Sequence, residues 1–117
     1  MTILEIQYSE LENNIRLIKL AGTLDIVGTG QIETQFAGYC GGENARVVVD
    51  LSEVDFLASI GIRLLTLIAK SVLSRGGKMV LLNPTPDVQN VLEITGIPAI
   101  IPIYSQLESA ETVLLAS

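Results

Sequence analysis

Ser59 is the side chain in this sequence best placed to do chemistry. It follows a β-branched run, Val47-Val48-Val49, and precedes a long apolar stretch whose residues Ile60, Leu64, Leu67, Ile68 and Val72 recur at helical spacing. A serine at that junction reads as a helix N-cap, its oxygen accepting from unpaired backbone N–H groups. The third residue after it is Ile62 rather than Glu or Gln, so no capping box is present. A phosphate on such a serine would be stabilised by the free N–H groups and the helix dipole, and would not unfold the domain. Its effect would fall on a partner docked there. Phe56, Leu57, Ile60 and Ile62 put many apolar groups into one short segment, which suits a docking patch around Ser59.

The same serine is poorly equipped as a nucleophile. The chain contains no histidine, which excludes His-based triads and His general bases. The nearby alternative base, Lys70, lies about 16 Å along the same helix at 1.5 Å per residue. Asp25, Asp50 and Asp55 stand near strand ends, where α/β proteins place ligands. Asp is also favoured at strand-to-loop junctions for purely local reasons, and that reading is preferred over a metal site. Gly28-Thr29-Gly30 lacks the further Gly and the Lys of the phosphate-cradling loops. The single Cys40 cannot form an internal disulfide, and a thiol without His or a second Cys is read as a small buried hydrophobe. No structural zinc, other metal or cofactor is expected.

Composition bounds the rest. The chain of 117 residues suits one domain spanning 1–117, and its hydrophobic fraction of 49% supports a real core built mostly from aliphatic residues, since aromatics are 4% and Trp is absent. Thirteen acidic residues against seven basic ones leave a net charge of −6 with no basic cluster, which argues against nucleic acid as a partner. No stretch approaches the roughly 18 consecutive apolar residues of a membrane span. The opening MTILEIQYSE has neither the basic start nor the apolar run of a signal peptide, so a cytoplasmic location is expected. Oligomeric state is left open, a homodimer included.

The elements that must position Ser59 follow from periodicity. Ile3–Tyr8 and Ile15–Leu20 alternate apolar and polar residues and form two strands paired antiparallel around an Asn13-Asn14 turn. The strand end Ala21–Asp25 runs into a loop loosened by Gly28 and Gly30, then Ile32, Gln35, Phe36 and Tyr39 mark a helix ended by Gly41-Gly42. The Val47–Asp50 strand, a tight loop and the Ser59 helix come next, with Gly76-Gly77 as the stop and Arg75 at the negative end of the dipole. Lys78–Leu82 is a buried strand. Asp87–Ile94, with Pro86 at its start, is a helix with Val88, Val91 and Leu92 on its inner face. Ile97–Tyr104 is extended, and its prolines confine it to an edge or leave it barely a strand. Ser105, with Glu108 three residues on, caps a last helix that buries Ala110, Val113 and Leu114. Strands alternating with helices imply a largely parallel sheet with crossover helices.

The run from Val49 to Ile62, VDLSEVDFLASIGI, resembles the most characteristic segment of the STAS family: a hydrophobic strand, D-L-S, a spacer, an aromatic-hydrophobic pair, then a serine, one residue and glycine. Gly22-Thr23-Leu24-Asp25 is similar to the family's G-x-L-D, and Gly76-Gly77-Lys78, Asn83-Pro84, Val88, Leu92 and Thr95-Gly96-Ile97 extend the likeness over nearly the whole chain. The family comprises the anti-sigma factor antagonists of bacteria and the cytoplasmic domains of sulphate transporters. The resemblance implies an α/β fold, a mixed and mostly parallel sheet of four to five strands with about four helices. It implies a non-enzymatic regulator that binds an anti-sigma factor, often itself a serine kinase, and so releases a sigma factor. Ser59 would be the phosphorylation site, a serine phosphatase would reset it, and Asp25 with Phe56, Ala58, Ser59, Ile60, Gly61 and Ile62 would meet the partner. Two positions depart from the common pattern: Ala58 stands where many antagonists have Asp, and Ile60 where a small residue is usual. A non-phosphorylated scaffold, a lipid- or nucleotide-binding module, or a domain related to those of sulphate transporters is the alternative reading.

Overall fold

The computed structural model describes residues 4–116. Five strands, β1 (Glu5–Glu10), β2 (Ile15–Leu24), β3 (Arg46–Leu57), β4 (Lys78–Leu82) and β5 (Ile103–Tyr104), form one sheet in the order β1-β2-β3-β4-β5. β1 runs antiparallel to β2, and every other pairing is parallel. The four helices are α1 (Ile26–Tyr39), α2 (Ser59–Ser74), α3 (Pro86–Ile94) and α4 (Leu107–Leu115). Because each parallel crossover steps one strand in the same direction and is right-handed, α1, α2 and α3 must lie on one face. Their buried residues Ile32, Phe36, Leu64, Leu65, Ile68, Val88 and Leu92 form the main core with Val47, Val49 and Leu81 of the sheet. α4 covers the opposite face, where Ala110 and Leu114 pack on Ile15, Val48, Val80 and Leu82. Covering both faces explains why Val47, Val48 and Val49 are all fully buried, as their unbroken β-branched run requires.

The expected architecture is what forms, and several boundaries move. The strand expected from Ile3 begins at Glu5; Ile3 itself lies outside the described residues. Asn13 and Asn14 make the turn with φ of 64° and 60°, the left-handed conformation that Asn tolerates. α1 starts at Ile26, directly after Asp25, so Gly28 and Gly30 are helical rather than loop. Gln35 on that helix is exposed while Ile32 and Phe36 are buried.

The largest correction concerns the segment after Asp50. It is not a tight loop: β3 continues to Leu57, and only Ala58 separates it from α2. The register explains the misreading. From the Lys19–Asp50 pair to the Leu24–Leu57 pair, β2 advances five residues and β3 seven, so β3 carries two bulges. Asp50 Oδ1 accepts from the Ser52 N–H at 2.8 Å, a local turn that supports the first bulge. The buried residues then fall at Leu51, Val54 and Leu57, a spacing of three that no regular strand has.

The C-terminal stretch differs too. Ile97–Ala99 is a short 3-10 helix, so only Ile103-Tyr104 of the expected extended run pairs with β4. Ser105 does not cap α4: Gln106 holds that position, makes no side-chain cap bond, and Glu108 lies in the first turn. On α2, Ile60 and Leu67 belong to the exposed side; the buried side is Gly61, Leu64, Leu65, Ile68, Ala69 and Val72.

Candidate partner-binding site

The strand register places two helix starts side by side. Leu24, the last residue of β2, is the partner of Leu57, the last of β3. Asp25 and Ala58 follow them and are the N-caps of α1 and α2. The Ala58 N–H donates to the Leu24 carbonyl at 2.9 Å, which ties the two junctions together. A second tie runs between the strands just below, where the Thr23 hydroxyl donates to Asp55 Oδ1 at 2.8 Å.

Two glycines let the helices sit this low on the sheet. A Cβ on Gly61 would meet Leu57 Cδ1 at 2.8 Å and the Leu24 oxygen at 3.0 Å, and one on Gly28 would meet the Thr23 oxygen at 2.1 Å. Both are buried. Gly61, expected to meet a partner, therefore seats the first turn of α2 from below and presents no surface.

The two starts are finished differently. Asp25 Oδ1 accepts from the Gly28 N–H at 2.8 Å, so α1 is capped by a carboxylate. Ala58 has no side chain with which to cap α2, and Ser59 is the first residue inside the helix rather than its cap. That corrects the expected capping role. The Ala58 carbonyl accepts from the Gly61 and Ile62 N–H groups, while the Ser59 and Ile60 N–H groups receive no backbone acceptor among the described residues. Ser59 is exposed, and no described side chain bonds to its hydroxyl.

Near Ser59 large apolar side chains stand exposed beside the charged Asp55 and Arg63. Phe56 is 55% exposed and Ile60 38% exposed, while Ala58 and Ile62 are half-buried, Ile62 resting against the main core. Ile26 and Val27, 74% and 64% exposed, extend the patch onto the first turn of α1. Sequence reading missed them, because Gly28 and Gly30 made this segment read as a loop and no helix face was assigned to it. Leu67 joins them, lining with Ile60, Leu64, Thr29, Glu33 and Arg63 a groove of about 190 Å³ between α1 and α2. The Thr29 hydroxyl at its base is buried without a hydrogen-bond partner.

The other groups singled out by type have local work. Asp25, Asp50 and Asp55 each accept the bonds described above, and no cluster of three metal-ligating side chains exists among the described residues. Cys40 is fully buried, and burial pushes its thiol up to about 12, with the Arg16 and Arg75 charges opposing the shift. No helix of the described residues is long and apolar enough to cross a membrane.

The STAS domain model matches residues 8–110, from β1 into α4. This chain belongs to the STAS family. Among relatives of this STAS chain, BtrV of Bordetella bronchiseptica, named as an anti-sigma factor antagonist, is 33% identical over 91 residues, 78% of each chain. Among solved structures, a STAS domain protein of Planctomyces limnophilus superposes with a TM-score of 0.83 at 24% identity, covering 95% of this chain and 98% of that one. The antagonist SpoIIAA superposes in its unphosphorylated form with a TM-score of 0.74 at 20% identity, over 93% and 96% of the two chains. The Bacillus SpoIIAA in its phosphorylated form does so at 0.68 and 20%, over 93% and 99%. These structures establish the shared fold.

Proposed function

We propose that this STAS domain is an anti-sigma factor antagonist that works by binding and is switched at Ser59. The carrying observation is an exposed serine at the first position of α2, with Phe56 and Ile60 exposed close by in the chain and Ile26 and Val27 exposed on the first turn of α1, whose start is tied to that of α2. The name of BtrV and the existence of SpoIIAA in a phosphorylated form support the reading. In it, the unphosphorylated face docks on an anti-sigma factor with serine kinase activity and releases the sigma factor. Apolar burial supplies the affinity, and Asp25 contributes a fixed carboxylate at the edge of the contact. Phosphorylation adds a charge of about −1.5 to −2 at the centre of that patch. The uncapped first turn of α2 holds the phosphate without unfolding the domain, and the interface loses complementarity. A serine phosphatase restores the binding form. The protein itself catalyses nothing.

The test compares Ser59→Asp with Ser59→Ala against a cognate anti-sigma kinase, together with mass spectrometry after incubation with ATP. Ser59→Ala should bind like the parent, and Ser59→Asp should lose at least tenfold in affinity, about 1.4 kcal/mol, with an unchanged thermal midpoint. Equal affinity of all three proteins would sink the switch. Absence of added phosphate with binding intact would favour the unphosphorylated scaffold reading that Ala58 also fits.

A further inference from the structure

A different place in the fold carries chemistry that the Ser59 face does not use. β5 pairs with β4 only at Leu81 and Leu82, so the first half of β4 has no paired strand on its outer side. An apolar pocket of about 220 Å³ occupies that gap. Ala69 and Met79, both nearly buried, belong to its lining, as do Leu73, Ile100 and Val113, and Lys70 and Lys78 stand at it.

Three features point to an anion with an apolar body. The chain has three lysines against a net charge of −6, and two of them line this one pocket. The ion pair among the described residues is Lys19 with Glu53; among those residues no carboxylate lies within ion-pair distance of Lys70 or Lys78. Finally, the Leu81 and Asn83 N–H groups point outward to the Pro102 and Tyr104 carbonyls, so strand alternation sends the Met79 N–H to the same side, where β5 has not begun. The pocket thus combines an apolar floor with two ammonium groups and a backbone donor. Its volume falls below the about 300 Å³ at which pockets for drug-sized ligands begin, which fits a short unbranched chain.

We infer that this edge pocket binds an aliphatic carboxylate, its chain against Leu73, Met79, Ile100 and Val113 and its head group between Lys70 and Lys78. The site is separate from Ser59, so its test is independent of the switch. The experiment titrates the full chain with octanoate and, in parallel, with octanol, by calorimetry and amide chemical shifts. Octanoate should saturate with a Kd below about 1 mM and move the amides of Leu73, Lys78, Met79 and Ile100. Octanol should bind at least tenfold more weakly. Lys70→Gln and Lys78→Gln should each weaken octanoate about tenfold, the loss expected for one charge-assisted contact. Leu73 is well exposed, so Leu73→Asp keeps the fold, checked by its melting midpoint, and should abolish binding. Equal affinity for octanoate and octanol, no saturation at millimolar concentration, or shifts centred elsewhere would each overturn the site.

Discussion

The two ends of the sheet use polar side chains differently. At the end where β2 and β3 begin, arginines are consumed in holding loops. Arg16 Nη1 donates to the Tyr39 and Gly41 carbonyls at 2.9 and 2.7 Å. Arg75 donates to Gly42 and Cys40 carbonyls at 3.0 and 3.2 Å and to the Ser71 hydroxyl at 2.8 Å. Arg46 donates to the Asn13 carbonyl at 2.7 Å. At the end where those strands finish, the Ser59 hydroxyl bonds to no described side chain, Ala58 leaves α2 without a side-chain cap, and large apolar groups stay exposed. Polar residues with a full set of internal partners are structural whatever their type. At the other end Thr23, Asp25 and Asp55 are bonded internally too, and it is Ser59 beside exposed apolar side chains that the proposed switch uses.

The largest effect should come from filling the seat of α2. Gly61→Val puts a branched side chain against Leu57 and Leu24, where even a Cβ is too close. Overpacking of this kind costs about 1–3 kcal/mol, and the first turn must also lift away from the strand ends. Chemical denaturation should place the loss near the upper figure, with partner binding reduced as well. A variant as stable as the parent would mean that the two helix starts are not fixed by this contact, and the contrast between a rigid seat and a free surface would fail.

Arg75→Met tests the other end. It keeps the aliphatic stem and leaves the Cys40 and Gly42 carbonyls without their donor. The Gly42 carbonyl is exposed and the Cys40 carbonyl only partly buried, so water replaces much of what is lost, and a loss of about 1 kcal/mol, the net worth of an ordinary hydrogen bond, is expected with affinity for the partner unchanged. Weakened partner binding at equal fold content would show that this end also belongs to the interface.

Cys40, packed between the two arginines of that clasp, gives a pH dependence. Its folded pKa, about 12, lies above the ordinary thiol value of 9.0. Between those values the unfolded chain has lost the proton and the folded chain keeps it, so alkali favours unfolding. Stability from this group is complete below pH 9 and declines by about 1.4 kcal/mol per pH unit above it. Cys40→Ala should flatten that part of the stability–pH curve, measured by denaturant unfolding between pH 9 and 10.5. An unchanged slope would mean the thiol is not held in a dry site.

How much of this was legible in the sequence depended on regular spacing. Val47–Val49, the inner face of α3 and the strand Lys78–Leu82 follow simple rules and fell where expected. β3 beyond Asp50 did not, because two bulges convert the strand's period of two into buried residues three apart, at Leu51, Val54 and Leu57. Ile60 and Leu67 match helical spacing as well as Leu64 and Ile68 do. Only the tertiary placement of α1 and β2 decides which of the two stripes is buried. The patch around Ser59 was therefore half visible: Phe56 and Ile60 from their crowding near the serine, Ile26 and Val27 not at all. The edge pocket was invisible, since it exists because β5 is two residues long, which proline positions suggested but could not locate.

The smallest effect separates the two helix starts themselves. Asp25 caps α1 through the Gly28 N–H, and Asp25→Ala should cost about 1 kcal/mol, the usual worth of an N-cap. Ala58 stands at the same position of α2 with an extended backbone, φ −88° and ψ 168°, the conformation a capping serine or aspartate adopts. Ala58→Ser should therefore stabilise by about 0.5–1 kcal/mol, the opposite sign for the reverse substitution. The gain would carry a functional cost, because a hydroxyl that caps the first turn occupies N–H groups that a phosphate on Ser59 would otherwise use. Thermal melts of both variants read the stability, and the rate of phosphate incorporation at Ser59 reads the competition. If Ala58→Ser neither stabilises nor slows modification, the open first turn is an accident of sequence, and the distinction between a finished helix start and a vacant one loses its meaning.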